Sequence, residues 1–170
     1  MSKKIIILFI LFSIMLLSSC TSGSGGRMIF DDSDKKADAK IEQILEIVKS
    51  QDKEALKSLF SEQVLDEIKD FDERIDYLFG FIHGEIGSWK RIGGPVGDDT
   101  YDNGQITKEV CTWYNIDTNV DKYIILIREC TIDTINPANV GLYMLKAIKA
   151  EDIDVLFDSQ VIGIYMSEGR

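Results

Sequence analysis

A chain of 170 residues carries 29 acidic and 19 basic residues, for a net charge of −10 at neutral pH. That sign argues against nucleic acid as a partner, and against adsorption to anionic lipid or teichoic acid, because a domain of this charge is repelled by polyphosphates. It suits cations, basic partners or plain solubility on a crowded surface, and the length suits one domain with a real core.

Lys3 and Lys4, followed by an apolar run from Ile5 to Leu17 broken only by Ser13, have the layout of a secretory signal. The run is too short to span a bilayer, which takes about 20 apolar residues. It ends in Leu17-Ser18-Ser19-Cys20, which resembles the lipobox of bacterial lipoproteins, with Leu three before the cysteine and small residues between. The resemblance implies cleavage after Ser19, lipid on Cys20 and a domain held by that lipid on the extracellular face of the cell membrane. Each buried methylene of the acyl chains adds about 0.8 kcal/mol. An ordinary secretory signal or a short anchor with an incidental cysteine is the alternative. Removing residues 1–19 takes away Lys3 and Lys4 and leaves 151 residues of net charge −12. Thr21 to Arg27 is small and flexible in composition. Residues 20–33 are therefore expected to be the lipidated cysteine and a tether, and 34–170 a single domain.

Within that domain, Ala37, Ile41, Ile44, Leu45 and Val48 recur at helical spacing with polar residues between them. Asp52 is placed to cap a second short helix carrying Ala55, Leu56, Leu59 and Phe60, and Val64, Leu65 and Ile68 continue its face. Phe71, Ile75, Leu78, Phe79 and Ile82 form a third stripe, so three helices are expected over about Asp34 to Ile82. After Gly84, β-branched and aromatic residues take over. Strands are expected near Glu85 to Ile92, Gln105 to Asp117, Lys122 to Asp133, Leu142 to Lys149 and Val161 to Met166. Breaks fall at Gly93-Gly94-Pro95, Asp102-Asn103-Gly104, Asp117 to Asp121 and Asn136-Pro137. Helices first and strands afterwards is an α+β order: N-terminal helices packed on a curved antiparallel sheet, with a cone-shaped hollow between them.

Several blocks in order carry a family resemblance: Lys53-Glu-Ala-Leu-Lys-Ser-Leu-Phe60, Phe71-Asp-Glu-Arg-Ile-Asp-Tyr-Leu-Phe79, and Asp133-Thr-Ile-Asn-Pro-Ala-Asn-Val-Gly-Leu-Tyr143. With Ile148-Lys-Ala-Glu-Asp152 and Gly163-Ile-Tyr165 they resemble the domain of unknown function 5104, found in Gram-positive lipoproteins. The likeness runs over roughly Asp34 to Tyr165. Residues 52 to 60 are also similar to the second helix of nuclear transport factor 2-like, or cystatin-like, domains. What this implies is that cone-shaped fold; it brings no catalytic residue and no cofactor.

His83 is the single histidine, so any histidine-dependent catalysis has to use it, yet its place between Phe81-Ile82 and Gly84 suits a helix C-terminus. Asp117, Asn119 and Asp121 alternate as at the opening of an EF-hand loop. Lys122 and Arg128 stand where that loop needs glycine and glutamate, so a hairpin turn is expected and no metal. Cys111 and Cys130 flank this turn, and a hairpin centred near Val120 would set them almost opposite each other, as a disulfide or as free buried thiols. Trp89, Trp113, Tyr114, Tyr123, Tyr143 and Tyr165 fall on the expected sheet, either as core or as a stacking surface. Arg128 is the one basic residue of an apolar strand, free to anchor an acidic ligand or to pair with Glu109 or Glu129. The Asn136 to Gly141 loop has a turn-forming reason at each position.

No catalytic set emerges. The leading expectation is a non-enzymatic, membrane-anchored binding module for a small molecule or an envelope protein, with Trp89, Trp113, Tyr143 and Arg128 as candidate ligand residues and homodimers a further option. The alternatives are a hydrolase, dehydratase or isomerase using a carboxylate in the hollow with Tyr or His83, or a purely structural surface protein if the hollow is filled.

Overall fold

A computed structural model describes residues 25–155 and 162–165. The chain divides into Met1–Lys35 and Lys36–Arg170, and the architecture below is that of the second unit. Helix α1 (Gly25–Ser50) buries Ala37, Ile41, Ile44, Leu45 and Val48, the stripe expected from the spacing. The tether expected over residues 20–33 is helical from Gly25 onward. Extending an existing helix adds a backbone hydrogen bond with each residue fixed, which outweighs a glycine penalty of about 1 kcal/mol. Cys20 and the signal segment lie outside the described residues.

The end of α1 is set by its backbone. Gln51 N donates to Val48 O and Asp52 N to Ile47 O, both at 3.3 Å, with Gln51 at φ 52°. This is the Schellman closure of a helix, with glutamine where glycine is usual. Asp52 then caps α2 (Lys53–Lys57), accepting from Ala55 N at 3.0 Å. Ser61 caps α3 (Glu62–Glu67), accepting from Val64 N at 3.4 Å. That second cap splits the expected middle helix in two, so four helices replace three. Helix α4 (Phe71–Phe81) buries Phe71, Ile75, Leu78 and Phe79.

Five antiparallel strands follow in the order β1 to β5: β1 (Ile86–Asp102), β2 (Gln105–Thr118), β3 (Lys122–Asp133), β4 (Gly141–Lys149) and β5 (Ile162–Tyr165). Asn103 and Gly104, at φ 48° and 82°, make the tight turn between β1 and β2. The expected break at Gly93-Gly94-Pro95 is instead a bulged stretch inside β1, because Val96–Asp102 resumes pairing with Gln105–Cys111. Gly94 sits at φ 74°, where a Cβ would run into the Cys111 carbonyl, and Trp113 lies so close over Gly93 that a Cβ there would be 2.8 Å from the indole. The linker between α2 and α3 closes on the sheet: Leu142 N donates to Leu59 O at 2.8 Å and Ser61 N to Leu142 O at 3.0 Å, a parallel bridge at Phe60.

The hollow expected between helices and sheet is filled. Ile41, Ile44, Ile75 and Leu78 from the helices share one buried cluster with Tyr114, Tyr123, Ile125, Ile127, Leu142 and Leu145 from the strands. Phe60 and Phe71 close it edge to face at 5.0 Å. The loop after β3 is built on Asp133, whose carboxylate accepts from Ile135 N, Asn136 N and Asn139 Nδ2 at 2.7 to 2.9 Å.

Two substitutions test this account by urea unfolding. Ile75→Ala is expected to cost about 2–5 kcal/mol, as for truncating a fully buried isoleucine. Gln51→Gly is expected to gain about 1 kcal/mol by relieving left-handed backbone; a loss would remove the helix closure from the argument.

Candidate functional site

Strand alternation gives the sheet two faces. Tyr114, Ile116, Tyr123, Ile125 and Ile127 face the helices, while Ile124, Leu126 and Ile148 form a second buried cluster with Cys111, Trp113 and Met144 packed against it. On this far face Trp113 pairs with Leu126, and Cys111, Arg128 and Met144 form one row across β2, β3 and β4. The extra residue that bulges β4 beside this row is Tyr143.

Three of the four expected ligand residues meet here. Arg128 is an exposed residue whose guanidinium lies against the Cys111 thiol, with the charge of Glu109 and the hydroxyl of Tyr143 nearby. The Tyr143 ring is buried in the main helix–sheet cluster, and it reaches this row through its hydroxyl, which donates to Glu109 Oε2 at 2.6 Å. Burial, and then that bond to Glu109, hold the Tyr143 phenol well above its ordinary range. Trp113 is half-buried and rests one side of its ring on Gly93. Trp89 does not join them: it faces the helix side, edge-on to Tyr114 at 5.6 Å and 76°. Its register partner is Ile116, a core residue, so alternation turns it inward.

The register does not set the two cysteines almost opposite each other, as a hairpin centred near Val120 would. Cys111 stands opposite Arg128 and Cys130 opposite Glu109, and both thiols are free. The turn closes between Thr118 and Asp121, with Thr118 N donating to Asp121 O at 2.9 Å, and so is centred slightly before Val120. Small shifts of a turn centre are doubled in cross-strand partners. Burial pushes the Cys111 thiol up while Arg128 pulls it partly back, so it is a protonated thiol at neutral pH and no nucleophile.

The remaining candidates take structural roles. Glu129 pairs with Lys40 of α1 at 3.2 Å rather than with Arg128. Tyr114 donates to Asp38 at 3.3 Å, and Asp38 also meets Arg91 at 3.6 Å. Tyr165 lies under the Lys146 ammonium at 4.3 Å. The Asp117 to Asp121 segment is a hairpin turn, its acids paired with Lys122 and Lys149 at 3.5 and 3.1 Å. Among the described residues no three of His, Cys, Asp and Glu converge as metal ligands, and no described helix is long and apolar enough to cross a membrane. The bond between Tyr143 and Glu109 was not read from sequence; the signal for Glu109 is its period-two spacing with Cys111 and Trp113.

A family model described as a domain of unknown function, DUF5104, matches residues 43–150. No curated protein matches the chain.

Two chemical measurements follow from the thiols. Alkylation of the denatured, unreduced protein followed by mass spectrometry is expected to label both Cys111 and Cys130; a bridged pair would escape. In the folded protein, Arg128→Ala is expected to slow Cys111 alkylation at pH 8, since losing the guanidinium raises the thiol further and lowers its thiolate fraction.

Proposed function

We propose that this chain, which belongs to the DUF5104 family, is a non-enzymatic binding domain of the cell envelope, anchored through lipid on Cys20 at the extracellular face of the membrane. Its ligand, a small molecule or a region of an envelope protein, contacts the far face of the sheet at Arg128. The observation that carries this reading is the guanidinium of the exposed residue Arg128, set among Trp113, Tyr143 and Glu109, over a helix–sheet interior already occupied by side chains. A planar acidic or aromatic group suits it, because a guanidinium offers forked donors and a face for stacking.

The enzyme alternative calls for a carboxylate with Tyr or His83 working in an open hollow. Tyr143 and Glu109 are such a pair, but the phenol donates to the carboxylate and is pushed upward, which makes it a poor acid and leaves no phenolate at neutral pH. The finer fold reading, a cone of the nuclear transport factor 2 type, is supported by the helix-then-sheet order, the curved sheet and the Phe60 bridge to β4. The lipid anchor is supported by Leu17-Ser18-Ser19-Cys20 after a short apolar run.

Thermal-shift screening of the mature protein against envelope metabolites, sugars and peptides tests the binding reading. A ligand at 100 times its dissociation constant stabilises by about 2.7 kcal/mol, a rise of roughly 5 to 10 °C at this size. Arg128→Ala is expected to abolish the rise with little change in the unliganded midpoint; an undiminished rise would place the site elsewhere. Metabolic palmitate labelling is expected in the wild type and absent in Cys20→Ala, and persistent label would refute the anchor.

A further inference from the structure

Strand β1 is an edge of the sheet, open on the side away from β2. We propose that its outer half, residues 96–102, is a docking site for an extended basic segment of another protein, which adds to the sheet as a further strand. The site is independent of Arg128.

The turn fixes which backbone groups point outward. Asn103 and Gly104, at φ 48° and 82°, form a two-residue hairpin loop, so Asp102 and Gln105 close it as a hydrogen-bonded pair. In an antiparallel ladder bonded and non-bonded pairs alternate. The register runs unbroken from Asp102 and Gln105 back to Val96 and Cys111. Thr100, Asp98 and Val96 therefore bond to β2, while Tyr101, Asp99 and Gly97 aim their N–H and C=O groups away from it. Among the described residues no other backbone bond reaches those groups, and every residue from 96 to 102 is exposed. A row of donors and acceptors at strand spacing is what an added strand pairs with.

The inner half of β1 is closed to such a partner. Its register breaks between Ile86 and Ser88, between Arg91 and Gly93, and between Gly93 and Val96, and Pro95 has no N–H to give. From Val96 onward the edge is guarded by aspartates, and these select the occupant. Asp99 is held by Lys108 at 2.9 Å, whose ammonium also lies over the Tyr101 ring at 5.5 Å. Asp98 and Asp102 lie on the opposite face of the strand, where no cation among the described residues meets them. A second copy is refused. Antiparallel self-pairing centred on Asp98, Asp99 or Thr100 sets Asp98 on Asp98, Asp99 on Asp99 or Asp98 on Asp102, and like charges directly opposite destabilise a ladder. A strand with lysine or arginine opposite Asp98 and Asp102 reverses that sign, and a chain of net charge −10 draws it in.

The test separates the ladder from the charge. The full chain in neutral detergent is titrated with three peptides while backbone amide shifts and hydrogen exchange are followed. The first is Lys-Val-Thr-Val-Lys-Val-Thr, the second has both lysines replaced by glutamate, and the third is the lysine peptide with its valines N-methylated. Added antiparallel, the first sets its lysines opposite Asp102 and Asp98 and its valines opposite Tyr101, Asp99 and Gly97. It is expected to shift the amides of Gly97, Asp99 and Tyr101 saturably and to slow their exchange, with a dissociation constant at least tenfold below that of either other peptide. Asp98→Asn combined with Asp102→Asn is expected to weaken it at least tenfold, and Arg128→Ala to leave it unchanged. Equal binding of the glutamate or N-methylated peptide, unmoved amides in a folded spectrum, or a folded double variant that binds normally would each overturn the proposal. So would movement of the same amides with protein concentration alone, which would give the edge to a second copy. The peptide comparison is made on the wild type, so it stands even if the variant does not fold.

Discussion

Two tyrosines buried in the seam between helices and sheet constrain much of this molecule. Tyr114 and Tyr123 are fully enclosed among isoleucines and leucines, yet each carries a hydroxyl that has to find a partner. Tyr114 finds Asp38 on α1, and Asp38 in turn meets Arg91 of β1. Tyr123 accepts from the backbone of His83, where the chain leaves α4. The helices are therefore tied to the sheet by polar bonds at the ends of apolar packing, which fixes their placement more narrowly than burial alone. The same bond that satisfies Tyr123 draws the His83 N–H away from α4.

A filled seam moves chemistry outward. Isoleucine and leucine side chains from both layers occupy the space between helices and sheet. On the far face glycines do the shaping. Gly93 gives Trp113 a flat bed, and Gly94 lets β1 pass close to the Cys111 carbonyl. This lets β1 stay paired with β2 past the bulges, so that Cys111, Trp113 and Arg128 share a continuous surface.

Much of this was legible in the residues. The stripes of α1 and α4, the Asp52 cap, the Asn103-Gly104 turn and the antiparallel order all follow from periodicity and turn chemistry, and the three converging residues Trp113, Arg128 and Tyr143 follow from strand position. What was missed has physical reasons. Gln51 closes α1 in a conformation that favours glycine, so no residue type announced it. Gly93-Gly94-Pro95 has the composition of a turn, and only the pairing beyond it shows a bulge. Trp89 and Trp113 are chemically alike, and their opposite faces depend on register, which the bulges in β1 reset. The near-opposite placement of the cysteines failed on the same ground, since register rests on turn geometry and a small displacement of the turn moves every partner.

Charge bears on the far face of the sheet as well. With net charge −10, the chain attracts cations from a distance and repels anions, an effect screened over about 8 Å at physiological salt. An acidic group moving toward Arg128 works against the global field and meets Glu109 beside the guanidinium. Long-range steering is therefore lost to it, and whatever binds there has to be held by short-range contact with the guanidinium and the indole. That favours a flat group able to stack over a small, highly charged one.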